Sequence, residues 1–556
     1  MRPLLREQDT SHPELLLASN TIFNPLSKSV QTVQYGLMNI NFSDVLVLGG
    51  ISVSFLLAYQ AIYFYFIYSP RAKKLGCALP PVFFSFPLGI PEVIRLVNAW
   101  FNDDLLEYFT FKFEEFQRKT GFQSVAGQLW IGTIEPENIK TMLATSFKDY
   151  SLGFRYEAMY GLLGNGIFTL SGEGWKHSRA LLRPQFSREQ VSHLESMRTH
   201  INMLINNHFK GGKVVDAQVL FHNLTIDTAT EFLFGESTNT LDPALAQHGF
   251  PGPKGLVTGE QFAEAFTSAL ELLSVRVMAG AAWFLVWTPK FWRSCKVCHN
   301  FIDYFVFKAL ATPMEKDQEA DRYVFIRELT KETSDPRVIR DQALNILLAG
   351  RDTTAALLSF TTYYLGAYPE VYDELREAVI ADFGKEDAEP PTFEQLKQCK
   401  VLQNVIREVL RLHPNVPLNF REAITDTKFP TGGGPNGDQP VFVPKGQKVF
   451  YATYVMQRNE GLWGPDSTTF RPDRWNESRE AIASGWDYIP FNGGPRICLG
   501  QQFALTEASY TLVRICQEFS RIEVLHPDVI TSRNVMKQRM RLTNSSSGGV
   551  IAKFIR

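Results

Sequence analysis

The segment 491–500, FNGGPRICLG, concentrates residue types that can hold a metal within a flat organic ligand. Its glycines let the backbone turn tightly and approach a planar group. Cys498 directly precedes the amphipathic stretch 499–518, which predicts a helix. The N–H groups at the start of that helix would stabilise the sulfur as a thiolate, the form that ligates iron. Arg496 is placed to meet an anionic group of the ligand. The alternative interpretation of this segment is a loop with a buried structural cysteine.

A second cluster, AGRDTT at 349–354, combines a glycine, an acid and hydroxyl groups within a helical pattern. Gly350 bends easily and the Thr353 hydroxyl can bond back to a carbonyl, so the two can open the helical hydrogen-bond ladder. Such an opening would leave room for dioxygen and water. Asp352 and Thr353 could then relay protons to a reacting oxygen. Without a reactive metal centre beside it, the same segment would be only a polar cluster on a helix.

Other side chains are spaced to lie on single helix faces. Glu408 and Arg411 are three residues apart, and on their own they would form an ordinary surface pair. Arg474 can extend this pair into a buried charge network, which we interpret as structural rather than catalytic. Trp175 and Arg179 are four residues apart and share a face, from which both can donate hydrogen bonds to carboxylates.

The cysteine segment resembles the haem-binding signature of the cytochrome P450 family, with matches at Phe491, Gly494, Arg496, Cys498 and Gly500. Three further strings resemble family motifs and occur in the family's order: AGRDTT at 349–354, EVLR at 408–411 and FRPDRW at 470–475. The resemblance extends from about residue 80 to the C-terminus. It implies a single catalytic domain with the α-rich triangular body and small β-sheets of that family.

The resemblance also implies the cofactor and the partners. The cofactor would be haem b, iron protoporphyrin IX, with Cys498 as the axial iron ligand and with Trp175, Arg179, Arg421 and Arg496 near its propionates. The reaction would use O2, a hydrophobic small-molecule substrate and electrons from an NADPH–cytochrome P450 reductase. The Asp352 side chain and its neighbouring threonine disfavour relatives that isomerise or dehydrate without O2. A haem sensor without enzymatic activity is the remaining alternative of another class.

Local strings are similar to those of fungal membrane-bound alkane and fatty-acid hydroxylases, among them LAGRDTTA at 348–355 and LGNGIFTL at 163–170. Arg351, in place of a small residue, is common in terminal hydroxylases of long aliphatic chains. The expected reaction is therefore insertion of one oxygen atom into a terminal (omega) C–H bond of an n-alkane or fatty acid. The alternative is a cytochrome P450 of a fungal secondary-metabolite pathway that oxidises an apolar polyketide or terpenoid.

The elements that must position these residues are mostly helices. Helical patterns cover 101–120, 188–207, 259–279 and 341–367, and strand-like alternation covers 124–130, 441–443, 449–451, 529–542 and 549–554. The loop TGGGPNG at 431–437 lacks the Lys-Ser/Thr of a phosphate loop and predicts a hairpin turn. Cys295 and Cys298 have zinc-ligand spacing but no second pair of ligands, so no zinc site is expected.

A 24-residue uncharged run, 45–68, is long enough to cross a membrane as a helix. Arg71, Lys73 and Lys74 follow it, and the positive-inside rule therefore places the rest of the chain in the cytosol. The predicted organisation is a luminal tail at 1–44, a transmembrane anchor at 45–68, a basic and proline-rich hinge at 69–97 and a haem-thiolate monooxygenase domain at 98–556. A single-pass protein of the endoplasmic reticulum membrane is the family expectation.

Composition adds two exclusions. The 556 residues are 45% hydrophobic and 21% charged, with a formal net charge of −2, which gives no argument for binding nucleic acid. The six cysteines follow no regular framework, a pattern typical of reduced thiols in a cytosol-facing protein rather than of a disulfide scaffold.

Overall fold

The computed structural model describes residues 42–79, 82–83, 89–186, 195–312, 324–385, 389–477, 485–525 and 536–556. The chain divides into two units, Met1–Ile62 and Tyr63–Arg556. The first contains α1 (Phe42–Ile62), an apolar helix; the predicted tail before it lies almost wholly outside the described residues. Among the described helices, only the stretch Gly50–Lys74 is long and apolar enough to cross a membrane, which is consistent with an N-terminal anchor.

The second unit begins with a π-helical turn, Tyr63–Tyr68, followed by α2 (Ser69–Lys74). Tyr68 is 2% exposed, and its hydroxyl donates to the Phe442 carbonyl oxygen at 2.7 Å, so its ring packs on the body of the second unit. The composition of 69–97 predicted irregular chain, whereas α2 and the start of α3 (Ile90–Phe101) are helical. Pro91 is accommodated because it stands in the first turn, where no helical hydrogen bond is lost.

Helices make up most of this unit, as the sequence predicted. After α3 they are α4 (Leu105–Glu115), α5 (Pro136–Lys140), α6 (Arg155–Leu163), α7 (Gly172–Leu182), α8 (Glu195–Leu204), α9 (Ala217–Phe234), α10 (Gly259–Met278), α11 (Pro289–Ala311), α12 (Phe325–Glu332), α13 (Pro336–Ala367), α14 (Pro369–Phe383), α15 (Phe393–Gln398), α16 (Lys400–Leu412), α17 (Thr453–Met456), α18 (Glu460–Trp463) and α19 (Gln501–Glu518).

Small sheets surround this helical body. The strands are β1 (Val82–Phe83), β2 (Thr120–Val125), β3 (Gln128–Thr133), β4 (Tyr150–Ser151), β5 (Val214–Asp216), β6 (Gly249–Gly252), β7 (Gly255–Thr258), β8 (Leu418–Ala423), β9 (Thr427–Gly433), β10 (Gln439–Val443), β11 (Lys448–Ala452), β12 (Arg521–Val524), β13 (Gln538–Met540), β14 (Asn544–Ser546) and β15 (Ile551–Ile555). The largest described sheet has the order β1-β2-β3-β11-β8-β4, and its strand β8 carries Arg421.

Two predicted elements were wrong in extent. The helix predicted over 101–120 is interrupted after Phe101, and Asp103 has a φ of +57°, which a helix cannot contain. The strand predicted over 124–130 is instead a hairpin of β2 and β3, because Ala126 and Gly127 both adopt positive φ between them. The glycine-rich loop joins β9 to β10 as an antiparallel hairpin, as predicted. Residues 188–194 and 529–535 of two other predicted elements lie outside the described residues.

The long helix α13 runs through the centre of the body and fixes where the candidate site lies. Asp335 caps its start by accepting from the backbone N–H groups of Arg337 and Val338, and Pro336 occupies its first position. The helix ends at Ala367, shortly before Pro369, which cannot continue an α-helix. Its apolar faces are buried against α9, α11, α16 and α19. Most of α13 is therefore held on all sides, and a local opening in it is stable only where side chains satisfy the backbone.

The predicted charge network around Glu408 is buried and ties α16 to the segment before the cysteine loop. Glu408 accepts from Arg411 at 2.8 and 3.0 Å, from Arg474 Nε at 2.8 Å and from the Trp475 indole N–H at 3.1 Å. The Arg471 backbone N–H also donates to it. A fully buried ion network of this kind is stable only because every charge has a partner.

We expect Glu408→Gln to lower the free energy of unfolding by about 3–5 kcal/mol, because it leaves the buried Arg411 guanidinium without a counter-charge and Arg474 with Asp466 alone. Glu477→Gln is the matched control: Glu477 pairs with Arg471 at the surface, and exposed pairs contribute only about 0–1 kcal/mol. Urea unfolding of both full-length variants measures the difference. Equal losses in the two variants would show that the network does not carry the stability assigned to it.

Candidate active site

The loop that carries Cys498 is shaped by its glycines and ends directly at α19. Gly494 has a φ of +66°, and a Cβ there would lie 1.9 Å from the Leu143 carbonyl oxygen, so only glycine fits. The Cys498 N–H donates to the Phe491 carbonyl oxygen at 3.0 Å and closes the loop. Gly500 then precedes the first residue of α19, as the sequence predicted. The loop therefore presents the sulfur at the start of a helix.

Burial raises the pKa of the Cys498 thiol, while the Gly500 N–H and the nearby Arg179 guanidinium oppose that rise. The side chain is solvent-accessible although protein surrounds it, as expected of a residue that lines a cleft. In contrast, the five other cysteines are buried, among them Cys295 and Cys298. The described residues contain no group of three or more histidine, cysteine and carboxylate side chains that could hold a separate metal ion.

Arg496, two residues before the cysteine, lies in a cluster of positive charge. Its guanidinium stacks 4.4 Å from the Trp175 ring and donates to the carbonyl oxygens of Ile167 and Leu170 at 3.3 and 2.9 Å. Burial, together with nearby Arg421, Arg155 and Arg179, lowers the pKa of Arg496 to about 9. The structure thus brings together the arginines that the sequence assigned to an anionic ligand.

Arg155 is a member of this cluster that sequence reasoning missed. Asn419 Oδ1 accepts from Arg155 at 2.6 Å and from Arg421 at 3.2 Å, so the two guanidinium groups share one amide. The Arg155 Nε is buried without a hydrogen-bond partner, and burial beside Arg421 lowers the pKa of Arg155 to about 9. It lies in FRYE at 154–157, which matches no motif used above. Only the packing of α6 against β8 reveals it.

The arginine cluster fits an anionic group with two carboxylates. In the described part of the chain, no carboxylate is ion-paired with Arg155, Arg179, Arg421 or Arg496. Like charges buried together are unfavourable unless an anion neutralises them. The two propionates of a haem would supply that charge within reach of Trp175, which is buried on α7 beneath Arg496. The residues present therefore fit the cofactor that the cysteine loop implies.

The central helix α13 is continuous through the AGRDTT segment, so the predicted opening is not present as a break, but the hydroxyl contact that the sequence suggested is present. The Thr353 hydroxyl donates to the Ala349 carbonyl oxygen at 2.7 Å, the back-bond that loosens a helical ladder. Thr225 on α9 donates to the Arg351 carbonyl oxygen at 2.8 Å and satisfies a second backbone group. Asp352 accepts from Arg351 Nη1 at 3.0 Å. The acid is therefore oriented by its sequence neighbour rather than free in a cavity.

A buried acid on the helix that follows the cysteine was also missed from the sequence. Glu507 lies on α19 and accepts from the Thr228 hydroxyl at 2.5 Å. Burial raises the pKa of Glu507 to about 7, although the Thr228 hydroxyl donates to it and Thr354 and His200 lie nearby. Within a helical pattern, a single glutamate gives no signal of burial, so sequence reasoning could not separate it from a surface charge.

A mainly α body with a cysteine at a helix start, beside a cluster of arginines, has the arrangement of a haem-thiolate protein. The family model for cytochrome P450 matches residues 122–541, most of the chain, and the protein therefore belongs to the cytochrome P450 family. Its enzyme class is accordingly a cytochrome P450 monooxygenase, which needs an electron-donating redox partner, O2 and a hydrophobic substrate.

The chain is similar to named relatives over almost its whole length. Cytochrome P450 52E2 of Candida apicola is 92% identical over 519 residues, 93% of this chain and all of that protein. Cytochrome P450 52E1 of the same organism is 82% identical over the same length. Cytochrome P450 52-M1 of Starmerella bombicola is 43% identical over 526 residues, 92% of this chain and 95% of that protein.

The fold also matches a solved structure. The crystal structure of the cytochrome P450DA heme domain superposes with a TM-score of 0.69 at 20% identity, covering 86% of this chain and 97% of that one. At this identity the match concerns the fold alone. It confirms the prediction of an α-rich body with small accessory sheets.

Replacing Arg155 with methionine should weaken haem retention, because one charge-assisted contact to a propionate is lost. Such a contact contributes about 1.5–3 kcal/mol, or about a ten- to hundredfold faster release. Transfer of haem to apomyoglobin measures the rate. Lys448→Met is the control, since Lys448 is a cation on the sheet that carries Arg421 but lies over the Trp130 and Phe154 rings. An unchanged release rate for R155M, with faster release for R496M, would remove Arg155 from the propionate site.

Proposed function

We propose that this cytochrome P450 hydroxylates n-alkanes or fatty acids at or near the chain end, using haem b. The observation that carries the proposal is LAGRDTTA at 348–355, similar to the string in fungal alkane and fatty-acid hydroxylases, with Arg351 in its family position. The relatives named above share one numbered series of cytochromes P450, and their similarity to this chain includes its full catalytic region. This supports a common substrate class for the series.

Apolar surface on the catalytic unit supports a substrate taken from a membrane. Ile90, Ile94, Val97 and Phe101 are all exposed and recur every three or four residues, so they form one apolar face of α3. A separate exposed group consists of Phe284, Leu285 and Trp287. Exposed apolar faces of this kind suit contact with lipid, from which an aliphatic substrate would enter.

The proposed location is the endoplasmic reticulum membrane, with a single span and the catalytic domain in the cytosol. Support comes from the apolar helix Gly50–Lys74 and from Arg71, Lys73 and Lys74, which favour the cytosolic side. Residues 1–44 would then form a luminal tail, 45–68 the anchor, 69–97 the connection and 98–556 the catalytic domain.

Each candidate residue has a proposed role in the reaction. Bound haem would supply the iron at which O2 is reduced and the substrate C–H bond is oxidised. Cys498, held by the Gly500 N–H, would ligate the iron, and the loop between Phe491 and Gly500 would lie against the macrocycle. Arg179, Arg421, Arg496 and the Trp175 N–H would hold the propionates. The Thr353 hydroxyl would hold a proton that Asp352 supplies.

The proposed electron donor is an NADPH–cytochrome P450 reductase docking behind the cysteine loop. A concave cavity of about 540 Å³ lies there, lined by loop residues Phe491, Gly494 and Ile497 together with the basic side chains Lys397 and Arg407. Electrons arriving at this surface would have only the loop to cross before the thiolate. The basic side chains favour an acidic partner surface.

Dodecane and lauric acid should each bind and be oxidised by the full-length enzyme with a reductase and NADPH. We expect a high-spin spectral shift on binding, because an apolar chain excludes water from the sixth iron position, and products hydroxylated at the chain end. Difference spectroscopy and mass spectrometry of the products measure both. Cys498→Ala should lose activity and the thiolate-type carbon monoxide spectrum. A normal spectrum for the parent enzyme without a shift or product from either lipid would contradict the substrate assignment but not the family.

Thr353→Ala should retain haem yet consume NADPH largely without forming product, because the central helix loses its hydroxyl proton carrier. A positioned proton donor contributes about 10²–10⁴-fold to such a step, so its loss should divert most electrons to hydrogen peroxide. Thr353→Ser, which keeps the hydroxyl, is the matched control and should remain coupled. Tight coupling in T353A would argue against the proposed relay.

A further inference from the structure

The Asp352 carboxylate lies between two side chains that differ in what they can do with a proton. Its Oδ1 accepts from Arg351 Nη1 at 3.0 Å and lies 3.6 Å from His222 Nδ1. The other arm of Arg351 donates to the Thr267 hydroxyl at 2.7 Å, so the guanidinium is fixed between α10 and α13. A guanidinium does not release its protons in proteins. Arg351 can therefore orient Asp352 but cannot replenish a proton that Asp352 gives away.

His222 is placed to reach from Asp352 to solvent. It lies on α9, which packs along α13 and is tied to it one turn further on by Thr225. The His222 side chain is 22% exposed, whereas its Nδ1 is buried and makes no hydrogen bond within the described chain. The exposed part of the ring must then lie away from Nδ1. One edge of the imidazole faces the acid, and another part of the ring meets water.

We propose that His222 supplies protons from solvent to Asp352, and so feeds the relay that ends at Thr353. In each step the Nδ1–H bond breaks and its proton passes to Asp352 Oδ1, while Nε2 takes a proton from a hydronium ion, which leaves water. The ring stays neutral overall. Rotation about the Cβ–Cγ bond then brings Nδ1 to solvent, where it takes a proton while Nε2 releases one to water, and rotation back restores the original state. One proton moves inward, no electrons are transferred, and Asp352 is ready to donate again. His222 acts through Asp352 and is a positioning and relay residue, so the inference rests on the proposed role of Asp352.

The charged groups around His222 are consistent with a neutral relay. Burial and Arg351 lower the pKa of His222 to about 4, while Asp352 and Asp216 oppose that shift. At neutral pH the ring therefore carries a single proton, as a relay between a donor and an acceptor requires. The separation of 3.6 Å exceeds a hydrogen bond, and an approach of about 0.5 Å brings the two atoms into bonding range.

A different role would be simple packing of the ring between α9 and α13. The packing role and the relay role predict different effects of removing the His222 ring. Loss of packing would lower stability and affect substrate binding, whereas loss of the relay would slow proton delivery in a folded enzyme that still binds haem and substrate. Proton delivery is read out by the solvent isotope effect and by the fraction of NADPH converted into product rather than hydrogen peroxide.

The test uses full-length enzyme with a reductase and any substrate that it oxidises, so that it does not depend on the lipid assignment. We expect His222→Ala to lower coupling several-fold and to raise the solvent isotope effect on turnover, with an unchanged substrate spectral dissociation constant. His208→Ala is the control: it also removes a partly buried imidazole, but His208 bonds to the Leu241 carbonyl oxygen and not to α13.

Comparison with Asp352→Asn separates the possible outcomes. If His222 acts through Asp352, the double variant H222A/D352N should be no less coupled than D352N alone. Normal coupling and an unchanged isotope effect in H222A, with uncoupling in D352N, would overturn the role of His222. Normal coupling in D352N itself would overturn the relay at Asp352 and this inference with it, while lipid oxidation could still be observed in the same assay.

Discussion

The constraint on which the site depends is the burial of positive charge without an internal counter-charge. Arg421 lies close enough to Arg155 and Arg496 to lower the pKa of both, and the part of the chain that is described offers the three guanidinium groups no carboxylate. Neutral acceptors, chiefly Asn419 and main-chain carbonyl oxygens, hold their geometry but do not neutralise them. Such a cluster is favourable only once an anionic ligand binds. Folding of the sheet and of α6 thus creates a site whose electrostatics are completed by its cofactor.

The Glu408 network shows the opposite solution within the same fold. There the two arginines have a buried carboxylate that accepts from both, and neighbouring carbonyl oxygens satisfy their remaining N–H groups. Because its charges are neutralised, the Glu408 network can hold α16 against the segment that leads to the cysteine loop. The Glu408 network and the arginine cluster of the site both contain buried arginines. The first stabilises the protein without a ligand, whereas the second needs an anionic ligand to neutralise it. The two clusters differ in whether a buried carboxylate is present, and residue spacing in the sequence could not predict that difference.

Sequence patterns predicted the elements that depend on local chemistry. The helix after Cys498 and the long helix were both expected, and the observed start at Pro336 follows from a capping signal, Asp335-Pro336, that periodicity alone had not used. The predicted element boundaries were wrong where one or two residues with positive φ reverse the chain, as at Asp103 and at Ala126. Arg155, His222 and Glu507 could not be found because each has an ordinary local context. Their importance comes from segments far away in the chain that pack against them.

Two acids, Asp352 on α13 and Glu507 on α19, differ in the side chains that pack against them. Glu507 accepts a hydrogen bond from the Thr228 hydroxyl, and burial raises its pKa to about 7. Asp352 has a fixed guanidinium on one side and an imidazole that reaches solvent on the other. An acid that accepts and releases protons repeatedly needs a route to water. Of the two acids, only Asp352 lies beside a partly exposed imidazole, that of His222. The structure therefore favours Asp352 over Glu507 as the acid that exchanges protons during turnover, even though Glu507 lies closer to the cysteine in sequence.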